Sequence, residues 1–146
     1  MFESISVSKR HLVAITLGMF AALLFLATPV PAAETPQQQL ERAETLSAEA
    51  TVKATLALET GDLALAQEAQ TLAAEAADII SEVAEIAADT GDTALAQAAL
   101  NASVGVGEAT NIIVGAAETI AATSTDAETV AAASALATTA TTTAET

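Results

Sequence analysis

The sequence predicts an all-α protein: a small antiparallel bundle of about four helices with heptad-patterned Ala, Leu and Ile seams, preceded by a signal peptide. Three observations predict it. Beyond residue 32 alanine, the strongest helix former, is the commonest residue. Apolar positions recur there at alternating spacings of three and four, the period of a helix face. Two Thr-Gly-Asp triplets, at 60–62 and 90–92, cut that pattern into helix-sized pieces.

The first element is the leader, 1–32. Lys9, Arg10 and His11 form a basic opening, Leu12 to Ala27 is apolar, and Thr28-Pro29-Val30-Pro31-Ala32-Ala33 supplies helix breakers and small residues. Val30 and Ala32 suit a signal-peptidase site, so cleavage is expected between Ala32 and Ala33. The apolar run, about 16 residues, falls short of the roughly 20 that a spanning helix needs. The expected location is therefore extracytoplasmic, periplasmic or secreted. The alternative is an uncleaved leader anchoring the chain to the inner membrane. Either way Lys9 and Arg10 hold the N-terminus inside.

Residues 33–138 read as one acidic, Ala-rich helical domain. Thr35-Pro36-Gln37-Gln38 starts a helix over 36–59, with Thr as cap, Pro in the first turn and Gln at the capping-box position. In the triplets, Gly ends one helix in the left-handed conformation and Asp caps the next, giving helices over 63–89 and 93–122. Thr125-Asp126-Ala127-Glu128 matches a capping box and opens a helix over 126–138. Residues 139–146 are Thr-rich and are expected to form a flexible tail. TGDLALAQEA at 60–69 returns as TGDTALAQAA at 90–99, an internal repeat that pairs 60–89 with 90–119.

Each helix carries a seam. In the first it is Leu40, Ala43, Ser47, Ala50, Ala54 and Ala57. In the second it is Leu65, Ala69, Leu72, Ala76, Ile79, Val83 and Ile86, widened by Ala66, Ala73, Ile80 and Ala87. In the third it is Leu95, Ala99, Ala102, Val106, Ala109, Ile113, Ala116 and Ile120. Large residues alternating with Ala let helix axes approach closely. The wide apolar arc of the second helix asks for more than one neighbour, hence a bundle rather than a two-stranded coiled coil. Gly105 and Gly107 mark a place where the third helix could break, near Ser103–Gly107.

Composition excludes most chemistry. Met1, Phe2, His11, Met19, Phe20 and Phe25 are every Met, His and aromatic residue of the chain, and there is no Cys. A chain cleaved after Ala32 keeps none of them. Its serines then have no His to activate them. Its only bases are Arg42 and Lys53, set against 18 acids, of which 14 follow Lys53. Such a charge repels nucleic acid and anionic lipid and attracts cations and basic partners. The expected function is an exported, non-enzymatic structural or protein-interaction module of the cell envelope, with no cofactor. Its expected partner is an unidentified, preferably basic protein or a second copy of itself, and it contacts membrane only if the leader is retained. The alternative is a low-affinity divalent-cation or mineral-interacting protein. That reading rests on Glu75, Asp78, Glu82, Glu85, Asp89 and Asp92, spaced by three and four along one flank of the second helix. All-oxygen ligands suit weak Ca²⁺ or Mg²⁺ binding, but a straight ladder lacks an enclosing loop.

Overall fold

The computed structural model describes residues 33–144. The expected signal peptide, 1–32, lies outside the described residues. Within them the structure is four helices and no strand: α1 (Pro36–Thr60), α2 (Leu63–Thr90), α3 (Thr93–Thr123) and α4 (Ala127–Ala144), packed as a bundle.

The helix ends are built by the residues that announce them. Thr35 Oγ1 accepts from the Gln38 amide at 3.3 Å, and Gln38 Oε1 accepts from the Thr35 amide at 3.0 Å, which satisfies two donors that the first turn would leave unpaired. Gly61 and Gly91 close α1 and α2 at φ 71° and 67°, a conformation that strains a residue with a Cβ. Asp62 and Asp92 follow at once as caps. Asp92 Oδ1 accepts from the amides of Ala94 and Leu95 at 3.0 and 2.9 Å. The fourth helix departs by one residue from its expected start. Asp126, not Thr125, is the cap, its Oδ2 accepting from the Thr129 amide at 2.8 Å and from the Thr129 hydroxyl at 2.6 Å.

Burial follows the seam of α1 residue for residue, and every seam residue of α3 is buried together with Thr110 and Ala117. That of α2 is rotated from the expected one. Ala66, Ala73, Ile80 and Ala87 are buried with Ala69, Ala76, Ile79 and Val83, whereas Leu65, Leu72 and Ile86 are half-buried at the edge. The reason is tertiary: α2 packs mainly against α1 and α3, so its buried arc is centred between those two.

The core forms two clusters along the bundle. One joins the second half of α1 and the first half of α2 to the second half of α3 and to Ala133, Leu136 and Ala140 of α4. The other joins Leu40 and Ala43 of α1 to Ile79, Ile80, Val83 and Ala87 of α2 and to Leu95, Ala99, Ala102 and Val106 of α3. The bundle thus has a four-helix half and a three-helix half. Alanine predominates in the first, where backbone proximity rather than side-chain bulk excludes water, whereas Leu, Ile and Val fill six of the eleven buried positions of the second.

Helix α3 runs unbroken through Ser103–Gly107. An added Cβ at Gly105 would lie 3.4 Å from Ser47 Cβ, so this glycine allows α1 and α3 to approach, and that packing offsets its weak helix propensity. The Thr-rich segment is helical to Ala144 rather than a free tail. Thr138, Thr139, Thr141 and Thr143 each donate to the carbonyl four residues earlier, and Ala140 is buried. Gln70 Nε2 also donates to Thr143 Oγ1 at 2.7 Å, tying the end of α4 to α2.

Candidate functional site

The acidic flank of α2 is two columns, not one. Residues seven apart lie almost above one another on a helix, separated by about 10.5 Å along its axis. Glu68, Glu75, Glu82 and Asp89 form the first column. It faces α1: Lys53 Nζ meets Glu68 Oε2 at 2.8 Å and Arg42 meets Glu75 Oε1 at 2.9 Å, while Arg42 also reaches Glu34 at 3.2 Å. The hydrogen bond that Arg42 donates to Glu75 is the main cause that raises its guanidinium pKa, and the one that Lys53 donates to Glu68 raises its ammonium pKa.

Asp78 and Glu85 form the second column, while Asp92 lies beyond Gly91 and belongs to the start of α3. Asp78 lines a cleft between α2 and α4 with Ala74, Ala77 and Thr139. Asp92 lines the α2–α3 cleft with Ala84, Ala88 and Ala96. All six residues singled out in the sequence are exposed. Glu75 is engaged with Arg42 and Asp92 with the α3 amides, leaving Asp78, Glu82, Glu85 and Asp89 on the surface. Among the described residues no three Asp, Glu or His side chains come together as a group able to hold a metal ion.

The arrangement presents a second feature. The end of α4, at Thr143 and Ala144, lies against Ala77, Ile80, Ser103 and Gly107 beside an open cleft of about 260 Å³. Heptad steps from Ala77 to Ala84, Ser81 to Ala88 and Ser103 back to Ala96 carry the same side of α2 and α3 onward. Ala84, Ala88 and Ala96 are all exposed there. Leu100, seven residues before Gly107 and four after Ala96, flanks this stretch at 62% exposure, with Val104 one turn on at 59%. Val52 and Leu56 form a second exposed aliphatic pair, on α1. Sequence reasoning concentrated on the seams and passed over these off-seam pairs. Their signal is a large aliphatic standing where the heptad asks for a polar residue. Among the described residues no helix is long and apolar enough to cross a membrane.

No protein family matches the chain, and neither the curated proteins nor the solved structures provide a match.

Proposed function

We propose that this chain is an exported, non-enzymatic helical bundle that acts in the cell envelope by binding another protein. The observation that carries the reading is the exposure of large aliphatics in a protein whose interior is mostly alanine. Val52, Leu100 and Val104 stand more than half exposed, while most of the buried apolar positions are filled by Ala. Side chains able to bury substantial apolar area on contact are thus on the outside. The leader motif around Val30-Pro31-Ala32 supports export. An antiparallel order of neighbouring helices is part of the proposal. It is supported by joints of two or three residues and by the pairing of Arg42 with Glu75 and of Lys53 with Glu68, in which numbers rise on α1 as they fall on α2.

The test is comparative capture. The exported protein, cross-linked in the envelope fraction, is expected to retrieve a defined protein that Leu100→Glu/Val104→Glu and Val52→Glu/Leu56→Glu do not both retain. Equal retrieval by wild type and both variants overturns the reading. The cation alternative predicts instead that micromolar Ca²⁺ raises the melting temperature where sodium chloride of equal ionic strength does not.

A further inference from the structure

We propose that the last turn of α4, Thr141–Ala144, is a strap latched to α2 by the Gln70–Thr143 hydrogen bond, and that its release uncovers Ile80 and Val106 between α2 and α3.

The proposal starts from a buried amide that the closed form satisfies only in part. Gln70 is 6% exposed, among the buried alanines Ala66, Ala69 and Ala73 of α2. Its Nε2 donates to Thr143 Oγ1 at 2.7 Å, while its Oε1 is buried with no hydrogen-bond partner. The other buried polar side chains bond within their own helices, Ser47 to the Ala43 carbonyl and Thr110 to that of Val106. Thr143 cannot serve both atoms of the Gln70 amide. Its hydroxyl has one proton, and that proton goes to the Thr139 carbonyl at 3.1 Å. Turning the amide over would only exchange the atom left unpaired. A buried acceptor without a donor destabilises the closed form, and water reaches it once the strap lifts. The internal repeat makes the same point. Position 70 corresponds to Leu100, since TGDLALAQEAQ at 60–70 aligns with TGDTALAQAAL at 90–100. The amide thus lies under α4 and the aliphatic lies on the surface, the reverse of what tight closure favours.

The strap has little else to hold it. Ala140 is the last wholly buried residue of α4. Three threonines in a row follow it, and β-branched residues are weak helix formers, so contact with α2 decides whether this turn stays wound. Space borders that contact. Thr143 lines the α2–α4 cleft of about 140 Å³ with Ala74, Asp78 and Thr139. It also lines the cleft of about 260 Å³ that contains Ile80, Ser103 and Val106. Unwinding the turn removes Thr143 and Ala144 from that second cleft and extends the open side of the α2–α3 groove to Ile80 and Val106, both buried in the closed form.

Hydrogen exchange followed by NMR on the exported protein tests the strap, because a local opening exposes its own amides and no others. With intrinsic rates divided out, Thr141–Ala144 are expected to exchange at least tenfold faster than Ala133–Leu136. Gln70→Met keeps the length of the side chain without its amide. It is expected to slow exchange at 141–144 at least fivefold and to leave 133–136 within twofold. Thr143→Val keeps the shape but removes the hydroxyl, which leaves both atoms of the Gln70 amide unpaired. It is expected to speed exchange at Thr141, Thr142 and Ala144 at least fivefold, and Gln70→Met/Thr143→Val is expected to restore protection. Plain fraying of a helix end would ignore a substitution on α2, so unchanged exchange in Gln70→Met overturns the proposal. Faster exchange in Gln70→Met overturns it as well, since the amide would then stabilise the closed form. Circular dichroism checks that each variant folds. If Gln70→Met does not, Thr143→Val decides, and exchange no faster than in the wild type overturns the latch.

Discussion

Ile113 and Val83 are the largest apolar side chains removed wholly from solvent, and each sits where helices converge. Ile113→Ala is expected to cost about 2–5 kcal/mol, the range for emptying a well-packed site. Leu72→Ala, at a half-buried edge, should cost distinctly less, and thermal melts followed by circular dichroism would rank the two. Most other core positions are already Ala, so they are sensitive to enlargement instead. Ala109→Leu should overfill its site and cost about 1–3 kcal/mol. Glycines separate by backbone. Gly91→Ala forces a Cβ onto a left-handed residue and should destabilise by about 1 kcal/mol, whereas Gly115→Ala, in a helix with nothing within 4 Å of the new methyl, should stabilise by roughly 0.5–1 kcal/mol. At Asp126 the hydrogen bonds donated by Thr129, hydroxyl first and amide second, hold the carboxyl pKa below the usual aspartate value. A pKa lowered by folding stabilises the native state above the unfolded value and ceases to do so as pH falls through the folded one. Carbon-detected NMR should therefore give Asp126 a midpoint below about 3.9, and the start of α4 should fray only under more acid conditions.

At the scale of the element, Asp92 is the sharpest case. Read in the sequence both as the cap of the third helix and as one of six carboxylates on a flank, it is the cap of α3 in the structure. Asp92→Asn keeps an acceptor oxygen and should melt within a few tenths of a kcal/mol of wild type, while Asp92→Ala should lose about 1 kcal/mol. A cation ligand would respond differently, since Asn and Ala would both lower Ca²⁺ affinity. The elements also show what sequence alone conveys. The boundaries of α1, α2 and α3 were legible to within a residue because Thr35, Gly61-Asp62 and Gly91-Asp92 act locally. The buried faces of α1 and α3 were legible because their seams are regular. The face of α2 was not, because which side of a helix points inward depends on where its neighbours lie. The end of α4 was not, because a run of Thr suggests fraying until side-chain hydrogen bonds to the preceding turn and the burial of Ala140 are seen. The acidic stripe was visible as spacing. That Glu68 and Glu75 pair with α1 while Asp78 lines the α2–α4 cleft is tertiary information that no spacing contains.

For the whole molecule, charge governs stability. Fourteen acids follow Lys53 with no base among them, and the described ion pairs use only Glu34, Glu68 and Glu75. Packing the helices gathers the remaining carboxylates, and salt screens charges more than about 8–10 Å apart. Raising sodium chloride from low to physiological concentration should therefore raise the melting temperature. A melting temperature indifferent to sodium chloride would mean that mutual repulsion contributes nothing. At the other extreme of pH, the raised pKa of Lys53 means that its contribution is complete below the unfolded lysine value and disappears as pH rises through the folded one.

The uneven length of the fourth helix has a thermodynamic consequence. Half of the bundle is closed by a segment of its own chain, and the other half is three helices around Leu40, Val83, Leu95 and Val106. Any molecule that completes the second half binds the native state and not the unfolded chain, so occupancy and folding become linked equilibria. At a free concentration of about 100 times its dissociation constant, such a ligand would add about 2.7 kcal/mol to the free energy of unfolding. The thermal midpoint measured with such a ligand would then exceed that of the protein alone, and the difference would report the free concentration of the ligand.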